Sequence, residues 1–211
     1  MNRKSFAGLL GAALLAVSSF ASAASVVMTD DFSNAKSGWP HSGATSVEDL
    51  GFAIYADGDY QLTPVADHVF GYVKAPKQAG SGDVSIESDM FLLAGVGSGL
   101  AGLACRVTDA QNFYGFAARG DAGLMIFKVI KGEVKSLALG RLRSVLAGSV
   151  DTRLTVSCKG DELRLSAKDG DSLVVKDSDL TQGTAGLIIF GEKAAGTMAT
   201  FDNFELSSLG R

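Results

Sequence analysis

The chain has 211 residues, 46% hydrophobic and 20% charged, and its 23 acidic side chains outnumber its 19 basic ones. A formal net charge of −4 offers no basic footprint to a nucleic acid, which excludes that class of partner. Two cysteines and two histidines are too few for a zinc centre, and no metal or other cofactor is expected.

Residues 1–23, "MNRKSFAGLLGAALLAVSSFASA", combine a basic start at Arg3 and Lys4, an apolar run from Phe6 to Val17, and Ala21 and Ala23 around Ser22. That order predicts a secretory signal peptide cut after Ala23, with an apolar core too short to span a bilayer comfortably. Neither cysteine lies near the cut, which excludes a lipid-anchored N-terminal cysteine. The mature chain, 24–211, is expected to be one exported domain, periplasmic or secreted, with no membrane span after cleavage.

From Ser25 onward the chain reads as short period-two runs broken by Gly, Asp, Asn and Lys: 52–55, 60–64, 69–74, 84–93, 100–108, 113–118, 124–130, 173–176, 185–190 and 200–206. The hairpin "DTRLTVSCKGDELRLSAKDGD" is the clearest. Leu154, Val156 and Cys158 share one face, and Leu163, Leu165 and Ala167 follow after the Lys159-Gly160-Asp161 turn. Only Arg141–Ser149 has the composition of a turn or two of helix. A dozen strands at hairpin spacing, without linker or repeat, predict an all-β fold: two packed antiparallel sheets, a sandwich or jelly roll. The terminal strands, near Asp31-Phe32 and 201–204, are expected to be neighbours, with a bulge if both Phe201 and Phe204 are buried.

The stretch "GLACRVTDAQNFYGFAARGD", residues 102–121, gathers the most chemistry. Leu103, Cys105 and Val107 share one strand face, and Asp109-Ala110-Gln111-Asn112 has turn composition. Cys105 and Cys158 both sit on inward faces, which predicts a disulfide between them in an exported chain. On the returning strand Tyr114 and Phe116 face one way and Phe113 and Ala117 the other. A strand apolar on both faces is central, and one face is expected to line a concave groove. Arg106, Asn112 and Tyr114 are the candidate ligand-binding residues, an arginine and an amide to orient hydroxyls beside an aromatic ring.

Together with "TDDFSNAKSGWP", "LTVSCKGDELRLSAKDG" and "ATFDNFEL", that stretch gives the chain a layout that resembles the concanavalin A-like and laminin G-like sandwiches of exported bacterial proteins. That group includes domains described as 3-keto-disaccharide hydrolases. The resemblance implies a two-sheet jelly roll with a curved, often sugar-binding face. Related laminarinase-type jelly rolls place catalytic acids as E-x-D-x-x-E on one strand, whereas Glu87-Ser88-Asp89 here is followed by Met90, Phe91 and Leu92. His41 and His68 lack a G-x-S-x-G elbow. Arg119-Gly120-Asp121 matches an adhesion tripeptide but equally a turn, Asp30, Asp31 and Asp202 offer oxygens of the kind calcium takes, and Trp39 suits packing over a sheet edge.

The expectation is therefore an exported carbohydrate- or envelope-binding module whose partner is a glycan or cell-envelope component, without an evident catalytic acid pair. The alternatives are a glycoside-type hydrolase acting on a 3-keto-disaccharide and a structural or adhesive protein-interaction domain.

Overall fold

The structure, a computed structural model, describes residues 24–41, 52–80, 82–94, 99–143, 145–146 and 148–210; the expected signal peptide lies outside the described residues. Among the described residues fourteen strands follow in chain order: β1 (Ser25–Asp30), β2 (Phe52–Ala56), β3 (Asp59–Thr63), β4 (Phe70–Lys74), β5 (Val84–Leu93), β6 (Gly99–Asp109), β7 (Asn112–Arg119), β8 (Gly123–Ile130), β9 (Glu133–Arg141), β10 (Ser149–Lys159), β11 (Glu162–Ala167), β12 (Ser172–Lys176), β13 (Thr184–Gly191) and β14 (Met198–Ser208). Among the described residues there is no helix, and hence none long and apolar enough to cross a membrane.

Every pairing between these strands is antiparallel. The larger, eight-stranded sheet runs β12-β11-β10-β5-β14-β3-β2, with β1 also on β14; the smaller, six-stranded sheet runs β4-β13-β6-β7-β8-β9. The two pack face to face as a sandwich.

Alternation explains which residues meet between the sheets. From the larger sheet come Ile86, Met90 and Leu92 of β5 and Leu154, Val156 and Cys158 of β10; from the smaller come Leu103 and Cys105 of β6, Tyr114 and Phe116 of β7, and Leu187 and Ile189 of β13. Cys105 and Cys158 are bonded across this core, with Cα atoms 6.8 Å apart, so the disulfide staples β6 to β10 and one sheet to the other.

The first and last strands meet as their sequence suggests. β1 pairs with the second half of β14, Asp30 opposite Phe204, while β3 takes the same edge along its first half, Phe201 opposite Tyr60. Between them a bulge at 202–205 lets Phe201 and Phe204 both turn inward, with Asn203 at a left-handed φ of 48°. Trp39 packs edge-on against Phe204 and beside Phe32 and Tyr60, its indole N–H donating to Asp30.

Two local expectations need correction. At Arg141–Ser149 the described residues are not helical: Arg141 ends β9, Leu142 bridges Gly170 and Leu146 bridges Ser149. β9 itself escaped the pattern, because its edge position leaves most of it exposed and a bulge near Leu137 places Leu137, Ala138 and Leu139 in consecutive order.

Candidate functional site

Phe70 of edge strand β4 and Phe127 of β8 lie four strand spacings apart, roughly 19 Å in a flat sheet. Their rings nevertheless stack with centroids 5.5 Å apart. The smaller sheet must therefore curl, and its outer face is concave.

The floor of that trough is made of small residues, Gly102 and Ala104 of β6 and Gly115 and Ala117 of β7, which alternate with the inward-facing core positions. Phe127 lies over Gly115, where a β-carbon would stand 2.2 Å from the ring. Phe113 and Phe127 are closed over by Phe70, which fills this part of the trough.

Beside the filled part the trough stays open as a recess of about 290 Å³. One cross-sheet row supplies much of it: Phe70, Phe190, Leu100 and Arg119 stand opposite one another on β4, β13, β6 and β7. Gly99, Met125, Val134 and Glu192 complete the lining. Phe70, Phe190 and Met125 are half-buried and Glu192 is exposed, so apolar surface and charge face the same opening. Arg119 donates to Asp121 at 2.9 Å, which accepts in turn from Gly123 N–H. The Arg119-Gly120-Asp121 tripeptide is thus a turn whose arginine faces the recess. His68, at a left-handed φ of 60°, stands beside Phe190 with ring centroids 6.5 Å apart.

The three residues singled out from sequence are elsewhere. Arg106 is 1% exposed at the bulge of β6, with Nε donating to Gly82 O, Nη1 to Leu180 O and Nη2 to Asp83, each at 3.0 Å. Gly183 makes room there, since a β-carbon on it would stand 2.4 Å from the Arg106 carbonyl carbon. Tyr114 is fully buried between the sheets; its hydroxyl donates to Asp177 and accepts from Leu180 N–H. Burial, then the bond to Asp177, push that hydroxyl up to about 12. Arg106 and Tyr114 do converge, but on the backbone of Leu180 rather than on an open groove. Asn112 caps its hairpin, donating to Asp109 and accepting from Lys131 N–H.

The same clamp contains a buried lysine that sequence reasoning missed. Lys128 of β8 faces inward opposite Tyr114 and donates to both Asp177 and Asp179. Burial alone works against its charge, but the two carboxylates outweigh it and hold the ammonium above its ordinary range. Asp177 is likewise drawn up by burial and more strongly down by Lys128, Tyr114 and Asp179 N–H, ending below the usual carboxylate range. The sign of this pair was present in "MIFK", residues 125–128, a lysine at an inward position of a central strand.

A larger depression of about 800 Å³ lies across β1, β10 and β14, lined among others by Asp31, Asn34, Lys77, Arg153, Asn203 and Glu205. Arg153 in this lining is already engaged by carboxylates beside it. Arg153 bridges Glu87 at 3.1 Å and Asp89 at 3.2 Å, and Asn203 donates to Asp89 and Asp202. Asp30 accepts from Phe32 N–H and from Trp39. The Glu87-Ser88-Asp89 carboxylates are thus held by a guanidinium on the outer face of the larger sheet, not across the concave trough.

No family model and no curated protein matches the chain. Solved structures do. The carbohydrate binding module CBM66 from Bacillus subtilis superposes with a TM-score of 0.62 at 20% identity, covering 82% of this chain and 96% of that one. The GH43 BlXynB protein from Bacillus licheniformis gives 0.61 at 13% identity over 84% of this chain, which spans 38% of that longer protein. The VIP36 exoplasmic/lumenal domain in its Ca2+/Man3GlcNAc-bound form gives 0.54 at 14% identity, covering 75% and 81%. What the chain shares with them is the fold: an all-β, two-sheet antiparallel sandwich of the jelly-roll type.

Proposed function

We propose that this protein is an exported carbohydrate-binding sandwich module that holds a glycan or cell-envelope saccharide in the recess on its concave face. The observation that carries the reading is the row Phe70–Phe190–Leu100–Arg119, which sets half-exposed rings beside a guanidinium in one opening. A sugar ring has an apolar C–H face and a hydroxyl rim. Phe70 and Phe190 suit the first; Arg119 as donor and Glu192 as acceptor suit the second. Support also comes from similar folds in CBM66, a carbohydrate binding module, and in the Man3GlcNAc-bound VIP36 domain. Export belongs to the same proposal and draws support from the disulfide, which oxidising compartments preserve.

Glu87 and Asp89 lend nothing to the alternative of a 3-keto-disaccharide hydrolase, because Arg153 lies between them and no comparable acid pair is found among the described residues that line the recess. A glycan array followed by titration calorimetry tests the proposal. Phe190→Ala and Arg119→Ala should each weaken binding at least tenfold, while Arg153→Ala, in the other depression, leaves it unchanged. Equal loss from Arg153→Ala alone would move the site to the larger sheet.

A further inference from the structure

Resting on that reading, we infer that the recess selects a terminal 6-deoxyhexose, a sugar whose exocyclic carbon is a methyl group, over its fully hydroxylated counterpart. The described lining of the recess is poor in hydrogen-bonding partners. Five of the eight lining residues, Phe70, Leu100, Met125, Val134 and Phe190, offer apolar side chains, and Gly99 has none.

The backbone adds little along the shared row. Leu100 is paired with Phe190 and Arg119, and Phe190 with Phe70 and Leu100, so the backbone of these two inner-strand residues lies within the sheet ladder, whereas Phe70 on edge strand β4 has a neighbouring strand on one side alone. Polar side chains among the described lining residues are those of Arg119 and Glu192. Arg119 already shares its guanidinium with Asp121, and both side chains are more than one third exposed, 37% and 38%. Arg119 and Glu192 thus keep contact with solvent, while Leu100, 7% exposed, is the most buried apolar side chain of the described lining.

At about 290 Å³ the recess sits at the small end of ligand pockets and suits one pyranose ring rather than a length of chain. A hexopyranose placed there turns several hydroxyls toward two polar side chains. Any hydroxyl directed at the Phe70, Leu100 or Met125 surface loses its water partners and gains none. Replacing the exocyclic hydroxymethyl by methyl removes one such oxygen and presents apolar surface to those walls instead. An acetamido sugar adds an N–H and a C=O to the same two partners and is disfavoured for the converse reason.

The test uses the mature protein and two sugar pairs that differ by one oxygen: methyl α-L-fucopyranoside against methyl α-L-galactopyranoside, and methyl α-L-rhamnopyranoside against methyl α-L-mannopyranoside. Methyl N-acetyl-β-D-glucosaminide is a fifth probe. Calorimetric titration should show at least one deoxy sugar binding about tenfold or more tightly than its partner and than the acetamido sugar. That preference should be lost in Phe190→Ala and should narrow in Val134→Thr, which places a hydroxyl at an exposed wall position without changing shape. Equal or tighter binding of the hydroxylated partner or the acetamido sugar, still sensitive to Phe190→Ala, overturns the selectivity and leaves the binding site standing. Binding insensitive to Phe190→Ala, or no binding of any of the five, overturns both.

Discussion

Strand β7 borders two environments that treat polar groups in opposite ways. Toward the larger sheet it sends Tyr114 into a clamp where Asp177 serves both Tyr114 and Lys128 while Leu180 is gripped by Tyr114 and Arg106. Toward the trough it sends Phe113, Ala117 and Arg119, and there only the arginine carries polar atoms. No buried side-chain nitrogen or oxygen among the described residues lacks a partner. Buried polar groups with every bond made rigidify a fold but have nothing left for a ligand. Half-exposed rings with a guanidinium at the rim do. Changes on the inward side should therefore move stability and leave binding alone, and changes on the outward side should do the reverse.

The largest expected loss on the inward side comes from the staple. Cys105 and Cys158 close a loop with a sequence separation of 53, and freeing it in the unfolded state costs about 4 kcal/mol in the chain-entropy model. The double variant Cys105→Ala/Cys158→Ala should lose that amount in guanidinium denaturation, while the folded fraction keeps any sugar affinity within a few-fold. Next comes Asp177→Ala, which deprives Tyr114 of an acceptor and Lys128 of one of its two carboxylates. Because Asp179 remains, the cost falls near about 3 kcal/mol, the low end for breaking a buried ion pair.

The clamp also has a pH signature. Asp177 is held below its ordinary range, so its contribution is present above the unfolded carboxylate value and is lost as pH falls through the folded one. Lys128 is held above its range, so its contribution is present below the unfolded lysine value and is lost as pH rises through the folded one. Stability should be level across neutral pH and fall at both extremes. Asp177→Ala should make the acid limb shallower in a denaturation series from pH 2 to 7, the remainder belonging to other carboxylates held low, such as Asp109 and Asp171.

A smaller effect is expected from Arg119→Ala on the outward side. Both partners of its ion pair with Asp121 are well exposed, so stability should change by roughly 0.5 kcal/mol or less. Sugar binding, if it uses this rim, should fall at least tenfold, about 1.4 kcal/mol. A stability loss like that of Asp177→Ala would show that Arg119 is structural and would erase the contrast between the two sides of β7.

Most of the fold was legible because strands with one face buried announce themselves by period two. Leu154, Val156 and Cys158 faced inward as their alternation required, and the Asp109–Asn112 turn closed as its composition suggested. The candidate site was less legible for a specific reason. Alternation separated Tyr114 and Phe116 from Phe113 and Ala117 correctly, but it cannot say which side meets the second sheet. Tyr114 and Arg106 look like ligand-binding residues for the same reason that they are good clamp residues: each has a polar end on a long side chain. The partners that occupy them, Asp177, Leu180 and Gly82, are distant in sequence. Phe70 and Phe190 were read as strand residues, and only the curl of the smaller sheet brings them to the trough.

The smallest expected effect lies on the outer face of the larger sheet, where charges are not balanced as they are in the clamp. Asp202 stands opposite Asp89 in the β14–β5 pairing, beside the bulge that turns Phe204 inward. Partial burial raises its carboxyl, and Asp59, Asp89 and Asp31 raise it further, against the lowering effect of Asn203 N–H. A carboxyl raised on folding binds its proton more tightly in the native state, so its ionised form costs stability at neutral pH and the cost is relieved as pH falls through the folded value. Asp202→Asn removes the charge and keeps one oxygen to accept from Asn203 N–H, a bond 2.6 Å long, while giving up the exposed bond that Asn203 Nδ2 donates to the other oxygen. Thermal unfolding at pH 7 and low salt should show a gain of up to roughly 0.5 kcal/mol, the scale of a surface substitution. The gain should shrink at 0.15 M salt, where screening acts over about 8 Å, and disappear near pH 3, where the native carboxyl is itself protonated. A loss instead of a gain would mean that the carboxylate is needed to hold Asn203 in its left-handed conformation, and the bulge, rather than charge repulsion, would then govern this face.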